Sequence, residues 1–265
     1  MKLGFIGAGN MGSAILKGIL NQNCMQPSDI AITDKLPELC AKFAEQGVQI
    51  ENKNQDLVRS CDCVLLAIKP IYAAQVIEEV LAELENKFVI SIVAGWTYEM
   101  LEAALPASAR FVRVMPNTPL AVGEGMSLIG QRYTCTEQEF EFTKNVFSAA
   151  GKVSMIEDHA FTAATGISGC GPAFVYQFIE ALADGAVRYG VPRETAYQLA
   201  AQTLLGASKM VLETKSHPGA LKDAVCSPGG TTIEGIYALE KSGLRAAVMD
   251  AVSATVEKTH QMEKK

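Results

Sequence analysis

The chain has 265 residues, of which 49% are hydrophobic and 20% charged, with a formal net charge of −6 and seven cysteines. This composition is typical of a globular protein with room for two domains, and scattered basic residues under a net negative charge argue against nucleic acid as a partner. No apolar run reaches the roughly 20 residues that span a bilayer. A strand that begins at residue 3 leaves no space for a targeting peptide, so we expect a cytoplasmic protein with no membrane partner. The three histidines and dispersed cysteines predict neither a metal site nor a disulfide framework.

A short apolar strand followed by a glycine-rich turn opens the chain. Leu3–Ile6 is apolar, the next six residues fit G-x-G-x-x-G, and helical periodicity follows from Ser13. In that context the motif predicts a dinucleotide-binding turn rather than an ordinary glycine turn, because the helix N-terminus would face the pyrophosphate. The cofactor-binding residues predicted here are Ile6, Gly7, Ala8, Gly9, Asn10, Met11 and Gly12.

Strands and helices alternate from there to about residue 156. The predicted strands are Ile30–Thr33, Cys63–Ile68, Lys87–Val93, Arg110–Met115, Met126–Ile129 and Lys152–Ile156, and the predicted helices are Glu38–Gln46, Ala73–Leu84, Tyr98–Ala104 and Glu137–Ala150. Continuous apolar strands with helical crossovers indicate a sheet that is covered on both faces. We therefore predict an α/β fold with an amino-terminal Rossmann-type, doubly wound, mainly parallel sheet.

Beyond Asp158 the pattern becomes helical, with long periodic stretches at Phe174–Arg188 and Arg193–Glu213. The sequence therefore predicts a dinucleotide-binding domain at residues 1–157 and an all-helical domain for dimerisation and substrate binding at residues 158–265.

An apolar stripe lies on the first long helix of this second half. Phe174, Phe178 and Leu182 are spaced four residues apart, which places them on one helical face. The stripe could belong to an internal core or to a dimer interface. So few polar positions in the helical half favour a core shared between two chains.

Cofactor specificity is expected at the end of the second strand. Asp34 follows Gly12 by 22 residues, close to the usual offset of the acid that bonds the ribose 2′-hydroxyl in NAD enzymes. Its neighbour Lys35 could instead pair with the 2′-phosphate of NADP. Alternatively, Asp34 simply starts the turn towards Pro37.

Three further loops follow strands, where an open parallel sheet binds its ligands. Lys69 is placed to meet a phosphate or ribose, although Lys69-Pro70 could be a surface turn. Ala94 and Asn117 should line the nicotinamide end of the same crevice. Asn117 lies between prolines that hold it rigidly, and its amide could bond the carboxamide or cap a turn.

Two glycine-rich turns stand out in the helical half, at Ser168–Ala173 and at Ser227–Glu234. Backbone N–H groups and hydroxyls at the start of a helix form a small anion site that suits a carboxylate. Ordinary helix capping, with Glu234 completing a capping box, is a compatible interpretation.

The residue types that are absent from these two turns limit the reactions that the site could catalyse. The turns carry no Ser/His/Asp set, metal cluster or carboxylate pair, so hydrolytic acid–base chemistry has few candidates. A protonated imine needs little such help, because it accepts hydride directly.

At these residues the chain resembles the pyrroline-5-carboxylate reductase family. The glycine-rich opening motif is shared with β-hydroxyacid dehydrogenases, whereas the carboxyl-terminal motifs are more specific to the family. These motifs are Ala181–Gly185, His217–Asp223 and Cys226–Ile233. The resemblance covers the whole chain and implies reduction of 1-pyrroline-5-carboxylate to L-proline, the last step of proline biosynthesis.

The resemblance also implies site residues and assembly. The substrate carboxylate would be held by Ser227, Gly230, Thr231 and Thr232, with Thr232 bonding the ring nitrogen as the catalytic residue. The family's helical domains intertwine in a homodimer whose sites are completed by the neighbouring chain, and five dimers can form a decamer. Beyond the opening turn, the resemblance implies that NADPH is also held by Asn54, Ala67, Ile68, Lys69, Pro70 and Ala94. Three more cofactor contacts are expected from their positions after strands and not from the family: Asp34, Lys35 and Asn117.

Two residues depart from the family pattern. Cys170 stands where a serine is common, which puts a substrate role for that side chain in doubt. Asp34 stands where many members have a small hydroxyl or amide residue to accept the 2′-phosphate, which argues against a strict preference for NADPH. We expect NADP as the cofactor because the family favours it, with NAD as the alternative. The competing functions are a β-hydroxyacid dehydrogenase-like oxidoreductase, for which Lys209, Lys215 and Lys222 lack the expected motif, and a non-catalytic nucleotide-binding regulator.

Overall fold

The computed structural model describes residues 1–263, so Lys264 and Lys265 at the end of the predicted second domain lie outside the described residues. The described chain forms two compact units. One comprises Met1–Cys170 together with the chain from Thr255 onward, and the other comprises Gly171–Ala254. The predicted domain boundary between residues 157 and 158 falls within the first unit and stays a prediction.

The first unit contains an eight-stranded sheet. Its strands are β1 (Leu3–Ile6), β2 (Ile30–Thr33), β3 (Gln49–Ile50), β4 (Cys63–Leu66), β5 (Phe88–Ser91), β6 (Arg110–Met115), β7 (Gly125–Gly130) and β8 (Gly151–Ile156). The strand order is β3-β2-β1-β4-β5-β6-β7-β8. Neighbouring strands pair in parallel except β6 and β7, which are antiparallel. The predicted mainly parallel sheet is confirmed.

Helices connect these strands and make up the second unit. They are α1 (Asn10–Asn21), α2 (Pro37–Ala44), α3 (Asn54–Ser60), α4 (Pro70–Glu79), α5 (Tyr98–Ala104), α6 (Glu137–Ser148), α7 (Asp158–Ser168), α8 (Gly171–Val187), α9 (Arg193–Thr214), α10 (Pro218–Ala224), α11 (Thr231–Lys241) and α12 (Leu244–Glu263). Within residues 1–263, no helix combines the length and apolarity needed to cross a bilayer.

Two hydrophobic cores cover the two faces of the sheet. Alternate residues of β1 point in opposite directions, so Phe5 packs in one core and Ile6 in the other. The first core contains buried residues of α1, α2 and α6, including Phe147, and the second contains buried residues of α3, α4 and α5, including Leu101. Helices on both faces confirm the doubly wound architecture.

Some element boundaries differ from those predicted. The short elements β3 and α3 were not predicted, because two residues of strand and two turns of helix leave little periodicity. The helix α4 begins at Pro70 rather than Ala73, since proline is preorganised for the first helical position, and it ends at Glu79 rather than Leu84.

The second unit buries little of its own apolar surface. Within residues 171–254, the buried hydrophobic side chains are Ala183, Ala196 and Ala200, whereas Leu212 is 73% exposed. In the predicted stripe, Phe174 and Phe178 are half-buried and Leu182 is 42% exposed. The structure therefore does not bear out the internal-core alternative for the stripe within one chain.

Candidate functional site

The glycine-rich turn joins β1 to α1 as the sequence predicts. Gly7 has a φ of 110°, which L side chains rarely adopt, and a Cβ there would lie 2.3 Å from the Ala67 carbonyl oxygen. A Cβ on Gly12 would lie 2.3 Å from the Gly7 carbonyl oxygen. Both glycines are therefore required by the fold itself, because each lets two backbone segments approach closely.

The remaining glycine of the motif has open space beside it. A Cβ on Gly9 would meet no heavy atom within 4 Å, and Gly9 is the N-cap of α1 without a side-chain cap hydrogen bond. The first turn of a helix supplies N–H groups that have no acceptor within the helix. The turn thus offers a backbone cradle with donors at a helix N-terminus, which fits the pyrophosphate of a dinucleotide.

The loop after β4 lies against this turn. Because β1 runs between β2 and β4, the carboxyl ends of all three strands meet at one edge of the sheet. The Ala67 N–H donates to the Ile6 carbonyl oxygen at 2.9 Å, and exposed Lys69 is the N-cap of α4. The structure therefore brings the predicted segments Ile6–Gly12 and Ala67–Pro70 together at the point where the strand order reverses.

The carboxylate of Asp34 accepts hydrogen bonds from two backbone segments, the glycine-rich turn and its own loop after β2. Its Oδ2 accepts from the Ala8 N–H at 2.6 Å, and its Oδ1 accepts from the Leu36 N–H at 2.9 Å. The bond from the Leu36 N–H is the local hydrogen bond by which an aspartate starts a turn. The bond from the Ala8 N–H links Asp34 to the glycine-rich turn. Next to it, the Lys35 ammonium lies 5.1 Å from the centroid of the Tyr72 ring.

Asn54 is the first residue of α3, and its Nδ2 donates to Glu79 Oε2 at 3.2 Å. That bond holds the side chain against the end of α4. Its role at the cofactor stays a prediction.

Asn117 connects three parts of the first unit. Its Nδ2 donates to the Ser168 carbonyl oxygen at 2.9 Å, and its Oδ1 accepts from the Met126 N–H at 2.8 Å. The side chain is buried. The side chain therefore joins distant segments and does not cap the turn that follows it, so the capping alternative is not borne out. The bond to the carboxamide stays a prediction and would use the second N–H of the same amide.

A small cavity that the sequence did not predict lies beside Ala94, past the carboxyl ends of β5 and β6. Gly95, Trp96, Arg113, Thr165 and Thr259 are among the residues that line it.

The Arg113 guanidinium forms part of that wall. It stacks 3.7 Å from the centroid of the Phe161 ring, and its Nη1 donates to the Trp96 carbonyl oxygen at 3.4 Å. The sequence contains one indication that Arg113 lines this cavity, because a charged residue inside an apolar strand is unusual. It contains no such indication for Thr259, which is more than 140 residues from Arg113 along the chain.

The second candidate half-site is the turn before α11. Gly229 has a φ of 67°, and the Gly230 N–H donates to the Ser227 carbonyl oxygen at 3.0 Å. Gly230 is the N-cap of α11, and exposed Thr231 and Thr232 are its first two residues. The turn therefore presents two hydroxyls beside the N–H groups of a helix start.

The predicted capping is wrong for both glycine-rich turns. Gly230 makes no side-chain cap hydrogen bond, so the capping box expected with Glu234 does not form. Ser168 ends α7 rather than starting α8, and its Oγ donates to the Ala164 carbonyl oxygen at 3.2 Å. Cys170 is half-buried and follows α7 along the chain, directly before the first residue of α8.

At the opposite end of β6, an ion pair supports the sheet. The Arg110 Nη2 donates to Glu139 Oε1 at 2.8 Å, and Glu139 Oε2 also accepts from the Thr136 N–H at 2.8 Å. Burial raises the pKa of Glu139, but the hydrogen bonds from Arg110 and Thr136 outweigh burial and hold that pKa below its usual value.

The fold and the glycine-rich turn together define a dinucleotide-dependent oxidoreductase. Two family comparisons agree with this class. Residues 2–95 match the family described as NADP oxidoreductase, coenzyme F420-dependent, and residues 158–262 match the family described as pyrroline-5-carboxylate reductase dimerisation.

Relatives cover the whole chain. A pyrroline-5-carboxylate reductase of Methanosarcina acetivorans is 44% identical, over 100% of this chain and 98% of the relative, and that of Escherichia coli is 40% identical over 99% and 98%. The crystal structure of a Plasmodium falciparum pyrroline carboxylate reductase with NADP bound has a TM-score of 0.92 and 35% identity, covering 99% of this chain and 98% of that one. The chain belongs to the pyrroline-5-carboxylate reductase family. The predicted family, fold and NAD(P)-dependent enzyme class are confirmed.

Proposed function

We propose that this protein reduces 1-pyrroline-5-carboxylate to L-proline with NADPH, the last step of proline biosynthesis. The observation that carries the proposal is the turn Ser227–Thr232, which starts α11 on a glycine without a side-chain cap, in a chain similar over its full length to pyrroline-5-carboxylate reductases. Such a turn suits the carboxylate, the one anionic group of the substrate.

The substrate carboxylate binds at the start of α11. The first-turn N–H groups have no acceptor within the helix, and the positive end of the helix dipole favours an anion there. The Ser227 and Thr231 hydroxyls add donors, while Gly230 keeps the turn tight: a Cβ at that position would lie 2.4 Å from Ser227 Oγ. Binding of the carboxylate then needs no arginine.

Thr232 orients the ring. Its hydroxyl is on the second residue of α11 and exposed, so it can hydrogen-bond the imine nitrogen while the carboxylate occupies the helix start. The nicotinamide supplies the hydride when the cofactor is bound. The ring nitrogen already carries its proton, which makes the imine carbon electrophilic, and it keeps that proton because the product amine is basic. The Thr232 hydroxyl therefore accepts a hydrogen bond from this N–H and positions the ring, and no separate general acid is needed.

The dinucleotide is held by the first unit. Its pyrophosphate lies on the cradle of Gly7, Gly9 and Gly12, and Lys69 meets a phosphate or ribose. Asp34, Lys35, Asn54, Ala94 and Asn117 complete the proposed cofactor contacts.

Assembly follows from the second unit, whose large apolar side chains need a partner surface. We propose a homodimer with this helical domain as the interface, a decamer of five dimers, and a cytoplasmic location.

The test is an absorbance assay at the nicotinamide band with 1-pyrroline-5-carboxylate, with proline identified as the product. Thr232→Val should lower turnover by roughly tenfold to a few hundredfold with little change in NADPH affinity, because one hydrogen bond to a charged group is lost. Thr232→Ser should keep most of the turnover.

Thr203→Val is the matched control, since Thr203 is an exposed helical threonine of the same unit whose Oγ1 donates to the Leu199 carbonyl oxygen. Absence of proline formation by the wild type would refute the proposed function. Normal turnover in Thr232→Val would remove Thr232 from the mechanism.

A further inference from the structure

The motif His217–Asp223 lies shortly before the turn Ser227–Thr232 and supplies none of the proposed contacts to substrate or cofactor. In the structure this motif forms most of α10, a helix of seven residues, together with the residue that precedes it. Neither α10 nor α11, both of which lie wholly within the described residues, contains a buried residue. Local hydrogen bonds are therefore the main interactions of this chain that order the segment.

The imidazole of His217 is the N-cap of α10. Its Nδ1 accepts from the Gly219 N–H at 3.0 Å, which satisfies one of the free donors at the start of the helix. Pro218 has no N–H to satisfy, and its fixed φ suits the first helical position. A Cβ on Gly219 would lie 3.0 Å from Nδ1 and 3.2 Å from Cε1 of His217, so the glycine leaves room for the ring. These three residues therefore form one cap.

Hydrogen bonds continue from the end of α10 into the substrate turn. The Cys226 N–H donates to the Asp223 carbonyl oxygen at 3.0 Å. The next residue, Ser227, accepts from the N–H of Gly230, which is the N-cap of α11. The position of α10 therefore sets where the substrate turn begins.

We propose that His217 is a positioning residue for substrate binding: its ring caps α10, and α10 holds the turn Ser227–Thr232 in the geometry that receives the carboxylate. Without the cap the start of α10 frays, and the substrate binds only the fraction of molecules in which the turn is ordered. The effect falls on substrate affinity and not on the chemical step, because the turn is the same once the substrate is bound. The proposal rests on the proposed function, since it concerns the same substrate turn.

Steady-state kinetics with 1-pyrroline-5-carboxylate distinguish positioning from catalysis. His217→Ala should raise the KM for this substrate by about two- to thirtyfold, the range that corresponds to the loss of an N-cap, and leave kcat and the KM for NADPH within about twofold. His217→Asn supplies a carbonyl oxygen that can cap the helix and should restore most of the affinity. His159→Ala is the matched control, because His159 is an exposed histidine in the first turn of α7 and does not cap that helix.

A double-mutant cycle tests the fit of the ring beside Gly219. Gly219→Ala pushes a Cβ against the His217 ring and should raise the substrate KM, although alanine is the better helix former. With His217→Ala in place there is no ring to displace, so Gly219→Ala should cause no further loss. Effects that simply multiply in the double variant would overturn the shared cap.

Hydrogen–deuterium exchange of the free enzyme measures the order of the turn without substrate. His217→Ala should speed exchange in peptides that cover residues 219–232 relative to peptides from α9, and His217→Asn should not. An unchanged substrate KM in His217→Ala, or unchanged exchange in these peptides, overturns the proposal. If His217→Ala speeds exchange but the wild type makes no proline, the proposed function alone is refuted.

Discussion

The glycine-rich turn allows the requirements of the fold and of the cofactor to be separated by two single substitutions. In Gly9→Ala the new Cβ meets no heavy atom within 4 Å, and the backbone φ of −62° suits alanine. Replacing an N-cap glycine by alanine costs about 0.5–1 kcal/mol, while the reduced freedom of the unfolded chain returns about 0.4–1 kcal/mol. Stability should therefore stay within about 0.5 kcal/mol of the wild type.

NADPH binding should nevertheless be weakened in Gly9→Ala, because the methyl group occupies the space in which the backbone and the pyrophosphate approach each other. A fall in NADPH affinity of at least about tenfold, or roughly 1.4 kcal/mol, is expected.

Gly12→Ala should show the opposite order of effects. Alanine gains about 1 kcal/mol of helix propensity, but its Cβ would lie 2.3 Å from the Gly7 carbonyl oxygen, a backbone atom that cannot rotate away. Overpacking of this kind costs about 1–3 kcal/mol, and the rigid neighbour places the cost near the upper end, so a net loss of about 1–2 kcal/mol is expected.

Circular dichroism melting measures stability. Quenching of the fluorescence of Trp96, the single tryptophan, should report NADPH binding, because Trp96 lies two residues after the proposed cofactor contact Ala94. Each kcal/mol lost from the free energy of unfolding should lower the melting temperature by about 2–4 °C. Normal binding by Gly9→Ala, or destabilisation equal to that of Gly12→Ala, would refute the assignment of Gly9 to the cofactor.

Three further outcomes are expected. Phe178→Glu should abolish the dimer and activity together, since a charge in an apolar interface costs several kcal/mol; light scattering that shows a fully active monomer would contradict this. Glu139→Gln should lower stability at pH 7 by about 1–3 kcal/mol. Because the folded-state pKa of Glu139 is lowered, its contribution is complete above the unfolded pKa of about 4.3 and is lost as pH falls through the folded pKa, so the difference from wild type in urea unfolding should close in acid. Asn117→Ala should lower the free energy of unfolding by about 2–3 kcal/mol, because it leaves the Met126 N–H and the Ser168 carbonyl without their partner; an unchanged melting temperature would contradict this structural role.

The parts of the fold that depend on local pattern could be predicted from the sequence. The turn Gly7–Gly12 and the strand β6 follow from residue type and short-range period, and the family motif identifies Ser227–Thr232. Parallel strands that end at one edge then bring Ile6–Gly12 and Ala67–Pro70 together.

Contacts between residues far apart in sequence could not be predicted in the same way. The bond from the Ala8 N–H to Asp34 and the placement of Lys35 over Tyr72 depend on side-chain rotamers at the edge of the sheet. The start of α11 at Gly230 was missed for a different reason: serine and threonine are common caps, and only the geometry of the turn shows that a glycine holds that position.

The discontinuity of the first compact unit has a consequence for how the chain is made. The segment from Thr255 onward belongs to this unit although residues 171–254 intervene, and Thr259 lines the cavity next to Ala94. During synthesis the sheet can form early, but the wall contributed by Thr259 emerges from the ribosome only after the whole of residues 171–254. The cavity beside Ala94 is thus completed only after the second unit has been made, and a premature stop near residue 254 should yield a folded sheet with an incomplete cavity.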